Sequence, residues 1–280
     1  MATAITNVSF AIMIGFHGMR NSGGTFDHSF NQFTKMQQVL VAVERVLEIL
    51  YVDSPSDRVV NGNEFPSSIT SISFKNIEYT YPGTKQPAVC ELNMDVMTSF
   101  LVVVGANGRG KTTLLNLLTG NLSLQKGDIL FNNVSINSIS GFALRHEVAY
   151  SMQDEPLFDM TIRENILASI SNRSVTTEEI YSVCKKIGLY EDIIALPDGL
   201  DTKISEVRLL SAGQKRKIQL VRTFLRPSKV IVLDEPLMGL DSFSRELVAK
   251  YLAELSQEKF VIVATHRPEY FCMCTDIIEL

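Results

Sequence analysis

The sequence predicts an α/β fold built on a mostly parallel sheet, and three observations predict it. The runs FLVVVG (100–105), KVIVLDE (229–235) and KFVIVAT (259–265) are short and apolar, as buried strands are. The first leads through a glycine-rich loop into the apolar helix KTTLLNLLTG (111–120). The other two are separated by SFSRELVAKYLAELSQE (242–258), which has helical amphipathic spacing. Alternating strands and helices imply parallel pairing, with ligands at the strands' carboxyl ends.

With 280 residues and 45% apolar content, the chain can form one large α/β domain with an attachment, or two modest domains. A formal charge of −5 argues against a nucleic-acid partner, which is usually met by a basic face. The four cysteines, at 90, 184, 272 and 274, lack zinc-knuckle spacing and read as thiols in a reducing compartment. No segment reaches the roughly 18–20 continuous apolar residues that span a bilayer. The nearest, residues 2–16, is diluted by Thr3, Thr6, Asn7 and Ser9, and lacks the basic start and cleavage site of a signal peptide.

Along the chain, residues 21–32 are a polar, glycine-punctuated loop, and residues 33–50 carry apolar side chains at the three-and-four spacing of an amphipathic helix. A Pro-, Ser- and Asn-rich linker follows, and the main domain starts just after it. SISFKNIEYTY (71–81) alternates as a strand, Pro82-Gly83 turns it, and AVCELNMDV (88–96) continues as a second strand.

The chemistry begins at GANGRGKTT (105–113), which fits the phosphate-loop pattern in its required strand–loop–helix context. Gly105, Gly108 and Gly110 permit close backbone approach, and successive N–H groups and the helix N-terminus face anionic oxygens. Lys111 supplies charge for β- and γ-phosphates, and Thr112 a hydroxyl for Mg²⁺. Arg109, taken alone, reads as solvated. Asp234 and Glu235 end a buried strand, where the first can hold Mg²⁺ and the second can polarise water. In LLSAGQKRK, Ser211, Gly213 and Gln214 precede an apparent helix, KRKIQLVRTFLR, and so form a second anion site. Two separated phosphate cradles in one chain make sense if a second copy completes each.

In this order, over about residues 68–280, the segments resemble the nucleotide-binding domain of an ABC transporter. The fold implied is a P-loop NTPase-like cassette, with a mostly parallel RecA-like core sheet, an antiparallel β subdomain and a helical subdomain at about 155–226. GANGRGKTT resembles the Walker A loop, which places Asn107, Arg109 and Thr113 beside the three glycines, Lys111 and Thr112 as ATP-binding residues. IVLDE resembles Walker B, with Glu235 as the catalytic carboxylate and Asp234 on Mg²⁺. LSAGQ resembles the signature LSGGQ. Tyr81 lies where the family stacks an aromatic ring on adenine. Gln153 takes the position that touches Mg²⁺ and senses the membrane partner, and His266 that of the switch histidine at the γ-phosphate. GLD (239–241) resembles the loop across the dimer axis.

LFDMTIRENI (157–166) and GLYEDIIALPDGLDT (188–202) look like exporter cassettes. VAVERVLEIL (41–50) resembles the end of a last membrane helix, and IGFHGMRNSGGT (14–25) a turn between membrane helices. The resemblance therefore divides the chain into a membrane-domain remnant with helix and linker (1–66) and a cassette (67–280) shortened after DIIEL. It departs from the family at Ala212, which replaces the first signature glycine, and in ISEVRL (204–209), which keeps Glu206 but is short.

These features imply an ATPase using ATP and Mg²⁺. It would act as a homo- or heterodimer of cassettes at the cytoplasmic face of a membrane, powering export through a transmembrane domain. The rival reading is a dimerising or regulatory module with little hydrolysis, favoured by Ala212. A soluble cassette acting on nucleic acid is disfavoured by the acidic charge and the TIRENI segment.

Overall fold

The computed structural model describes residues 62–280 apart from 171–172, 206–209, 273 and 275. The chain divides into units 1–54 and 55–280. The apolar stretch 2–16, the loop 21–32, the helix over 33–50 and Glu206 lie outside the described residues.

Strands β1 (Ile72–Tyr79) and β2 (Val89–Val96) precede β3 (Phe100–Val104) and helix α1 (Lys111–Thr119). Then come β4 (Lys126–Phe131), β5 (Val134–Ser135), α2 (Gly141–Glu147) and β6 (Val148–Ser151). A helical run follows, with α3 (Ile162–Leu167), α4 (Thr177–Lys186), α5 (Tyr190–Ile194) and α6 (Ala212–Leu225). The chain returns through β7 (Val230–Asp234), α7 (Ser242–Leu255), β8 (Phe260–Thr265) and β9 (Asp276–Glu279).

These strands make two sheets. One is antiparallel with order β2-β1-β4-β5, and the other is wholly parallel with order β6-β7-β8-β3-β9. The parallel strands read as unbroken apolar runs because both faces are covered. In β8, Phe260, Ile262 and Ala264 point into a core shared with α1 and the antiparallel sheet. Val261 and Val263, one residue out of phase, join the opposite core formed with the helical segments. β3 and β7 divide in the same way, so neither strand has a face left for polar residues.

The antiparallel layer owes its shape to one glycine. Asn76 in β1 takes a φ of 51°, and the register shifts between Phe74 and Ile77. Facing it, Gly127 has a φ of +82°, and a Cβ there would lie 2.3 Å from the carbonyl oxygens of Lys75 and Asn76. Only glycine fits, and the bulge twists the sheet over the core. Phe65 is buried and packs on Phe131 at 5.0 Å between ring centroids, so the chain joins this layer before β1 begins.

Helix α6 starts earlier than the expected KRKIQLVRTFLR. Ser211 is its N-cap, and Gln214 lies at the third helical position. Gln214 N–H donates to Ser211 Oγ (3.1 Å) while Ser211 N–H donates to Gln214 Oε1 (2.9 Å). This reciprocal capping box draws Ala212 to Gln214 into the first turn, so Gly213 and Gln214 belong to the helix rather than preceding it.

Candidate functional site

The carboxyl ends of β3, β6, β7 and β8 open on a cavity of about 720 Å³. The phosphate loop forms its floor. Gly108 and Gly110 take φ of +81° and +94°, and a Cβ on Gly110 would sit 1.9 Å from the carbonyl oxygen of Ala88. The loop is thus pressed against the segment that leads into β2. No side chain caps α1 at Gly110, so the first amides of that helix are open to an outside acceptor. Gly105 does not line the cavity. A Cβ there would come within 2.9 Å of the Leu280 carbonyl oxygen, so this glycine gives room to the neighbouring strand. Arg109 is exposed and outside the cavity lining, whereas Asn107 and Thr113 are within it.

Lys111 is buried. Its Nζ donates to Gly105 O (2.7 Å) and Ala106 O (3.4 Å), and lies 3.4 Å from Glu235 Oε1. Thr112 Oγ1 donates to Asp234 Oδ2 at 2.6 Å. Burial pushes the Asp234 carboxyl above its ordinary range, and the Thr112 hydrogen bond offsets part of that rise. This hydroxyl–carboxylate pair fits a magnesium site, which takes few protein ligands and completes its shell with water and substrate phosphates.

Glu235 continues the ladder of β7 by donating its N–H to Ala264 O (2.9 Å), then turns with a φ of 46° that non-glycine residues seldom adopt. Its side chain is 8% exposed. Oε2 lies 2.9 Å from His266 Nδ1 and accepts from Thr265 Oγ1 (3.3 Å). Arg267 Nε donates to His266 Nε2, which leaves Nδ1, the nitrogen nearer Glu235, to carry the ring proton. Oε1 is buried with no hydrogen-bond partner and faces Lys111.

At the other end, the Tyr81 hydroxyl is 3.2 Å from Thr113 Oγ1, and its ring meets Tyr79 edge-on. Gln153 is exposed, and its amide reaches Met238 Sδ at 3.5 Å. One cavity therefore gathers Tyr81, Asn107, Gly108, Gly110, Lys111, Thr112, Thr113, Gln153, Asp234, Glu235 and His266. Ser211, Gly213 and Gln214 are not brought to it. They line a separate hollow of about 320 Å³, beside Asp241 and Phe243.

Sequence reasoning missed four contributors. Gln86 and Ala88 line the cavity because the β1–β2 loop folds over it, and Met238 because the turn after β7 does. No local signal marks any of them. Arg216 is the fourth, 5% exposed beneath the site, where a charged residue in a helix reads as solvated.

Residues 91–238 match the family profile described as ABC transporter. The chain belongs to the ABC transporter family. This ABC cassette is 32% identical over 272 residues to a probable ABC transporter ATP-binding/permease protein of Haemophilus influenzae, covering 96% of this chain and 48% of that one. It is 34% identical over 236 residues to an ATP-dependent lipid A-core flippase of Thiobacillus denitrificans, covering 83% and 40%. A bacterial Atm1-family ABC exporter solved with ATP bound superposes with a TM-score of 0.77 at 22% identity, over 89% of this chain and 44% of that one. That likeness establishes the cassette fold, with its parallel core sheet, antiparallel sheet and helices. The cassette is the ATP-binding part of the exporter type, and the chain spans about half the length, or less, of the curated relatives it matches. Among the described residues no helix is long and apolar enough to cross a membrane.

Proposed function

We propose that the cassette hydrolyses ATP as one half of a dimer and drives export when joined to a transmembrane domain. The observation that carries the reading is Glu235, a buried carboxylate in the phosphate-loop cavity whose Oε1 has no hydrogen-bond partner. A buried acceptor left unmade is costly, so it marks a place where a substrate or water completes the bonding.

In this reading the amides of Gly108, Gly110 and the start of α1 cradle the triphosphate, with Asn107, Arg109 and Thr113 around it, and Gly105 opens the loop. Tyr81 moves from Thr113 to stack on the adenine. Lys111 leaves the carbonyls of Gly105 and Ala106 for the β- and γ-phosphates. Mg²⁺, which Thr112 and Asp234 would hold with Gln153 beside it, neutralises phosphate charge when bound. Glu235 accepts a hydrogen bond from a water and aims it at the γ-phosphorus. That water's oxygen forms the new P–O bond, the bond to the ADP oxygen breaks, and ADP and inorganic phosphate leave. His266, through Nδ1–H, holds Glu235 in place and comes within reach of the γ-phosphate.

Ser211, Gly213 and Gln214 would act on the nucleotide of the second cassette, which suits their separation from the cavity. Ala212 is compatible with this role. It is exposed, whereas a Cβ on Gly213 would press to 3.0 Å from Gly239 O. The retained glycine is the crowded position, and the substituted one has room. We also propose that residues 1–66 belong with a membrane domain, that the cassette occupies 67–280 with a helical subdomain at about 155–226, and that it works at the cytoplasmic face of a membrane.

The test is ATP turnover as protein concentration rises, with Glu235→Gln as control. Turnover per molecule should climb with concentration and vanish in the variant while nucleotide binding persists. Flat, negligible turnover with intact Mg-ATP binding would favour the dimerising or regulatory module instead.

A further inference from the structure

Arg216 sits under the floor of the site, on the second turn of α6, and has no part in the chemistry above. The residue is 5% exposed, and its guanidinium spans two strand ends. Nη2 donates to the carbonyl oxygens of Asp234 (2.9 Å), the last residue of β7, and of Glu235 (3.3 Å), the next one. Nη1 donates to Met152 O (2.8 Å), the residue before Gln153, and lies within 3.4 Å of Ser151 Oγ. β6 and β7 are parallel neighbours whose pairing reaches Ser151 and Leu233, so the arginine closes the gap where their ladder stops.

The same face of α6 continues this grip. Gln219 accepts from Arg216 Nη1 at 3.3 Å and donates to the Glu155 carbonyl. Arg222 Nη1 donates to Glu155 Oε1 (2.7 Å), and its Nε donates to Asn165 O (2.7 Å). Residues 216, 219 and 222 thus form a buried polar stripe that follows the glutamine loop from Ser151 to Glu155. At the amino end of this helix stands the Ser211 capping box.

We infer that Arg216 is a positioning residue that fixes the strained Glu235 backbone and the base of the Gln153 loop to α6 as one unit. The argument is geometric. Glu235 holds a left-handed φ of 46°, and such a conformation persists only where its surroundings over-determine it. A carbonyl hydrogen bond from a planar, two-pronged donor supplies that restraint, and neither lysine nor a neutral chain reproduces the fork. A shift of the signature end of α6 would therefore move the Glu235 main chain and the Gln153 loop together.

This inference rests on Glu235 acting in hydrolysis, so two readouts separate the claims. In the full chain, Arg216→Met should lower kcat by about a hundredfold, the scale of a misplaced catalytic group. The Kd for Mg-ATP should stay at the parent value, and Arg216→Lys should recover part of the lost turnover. If Arg216→Met does not fold, Arg216→Lys is read alone and should lower kcat without moving Kd. A variant kcat equal to the parent's, or a Kd that rises in step with the fall in kcat, overturns the inference. If the parent itself does not turn over, the hydrolytic reading fails, and amide hydrogen exchange decides the link. Faster exchange in both 152–156 and 235–238 of either folded variant sustains it, and unchanged exchange in either segment overturns it.

Discussion

Thr112 and Asp234, 122 residues apart in sequence, are joined by a 2.6 Å hydrogen bond from hydroxyl to carboxylate. The bond holds the two proposed magnesium ligands side by side, and it sits where burial raises the proton affinity of Asp234. Proton and metal compete for the same carboxylate. Affinity for Mg-ATP should therefore weaken as pH falls towards the raised pKa of Asp234, above the range of an ordinary aspartate. Titration calorimetry over a falling pH series checks this, and Asp234→Asn should bind weakly at every pH. The native state holds this proton more tightly than the unfolded chain does, so Asp234 costs stability as pH rises through its raised pKa. Asp234→Asn should accordingly raise the thermal midpoint of the nucleotide-free protein at neutral pH while removing the metal response.

Gly110→Ala is expected to fail for two reasons that add. Its φ of +94° is strained for alanine, and the new Cβ would meet Ala88 O at 1.9 Å. The loop must move or the β1–β2 connection must yield, at a cost of about 2–4 kcal/mol. Urea unfolding should register that loss, and fluorescent-nucleotide titration should find no binding. Gly108→Ala makes a useful contrast, because at +81° it meets nothing within 4 Å. It should lose about 1 kcal/mol and keep measurable affinity.

Ser211 has a structural duty apart from any contact with a second cassette. Ser211→Ala removes the cap of α6 and should cost about 1 kcal/mol in urea unfolding. If Ser211 also completes a partner's site, turnover falls by more than this loss can explain while monomer nucleotide affinity is kept. Equal turnover after Ser211→Ala would remove Ser211 from the proposed active dimer.

Lys259 is half-buried against the carbonyl of Arg226, to which it donates at 2.8 Å, and this desolvation pulls its pKa down to about 8. The native lysine releases its proton before the unfolded one, whose ordinary value is 10.5. Between those values the unfolded state binds more protons, so this residue makes stability rise with pH. Relative to Lys259→Met, the parent should gain thermal midpoint from pH 8 to 10. A constant difference between the two proteins across that range would contradict the assignment.

How much of this was legible in the sequence depended on whether the controlling interactions were local. β3, β7 and β8 could be read directly, because burial on both faces leaves an apolar run with no polar phase. Gly110, Lys111 and Thr112 could be read because loop and helix start are contiguous, and Asp234 because it ends such a run. Arg216 could not, since its burial follows from β6 and β7 ending beneath one turn of α6. Gln86 and Met238 depend likewise on where loops fold. The start of α6 was displaced because the Gln214 side chain caps the helix it belongs to, and the propensity of the following residues does not report that.

The position of β3 in its sheet sets an order of events in synthesis. It lies between β8 and β9, and among the described residues, 100–104 pair with 261–265 and 276–279 alone. A ribosome making roughly 5–20 residues per second needs on the order of ten to thirty seconds to go from one to the other. Throughout that interval the strand that carries the phosphate loop has emerged with both of its hydrogen-bonding edges bare. The nucleotide pocket therefore cannot take shape until β8 and β9 have been made, and the apolar run FLVVV is a segment that needs shielding until then.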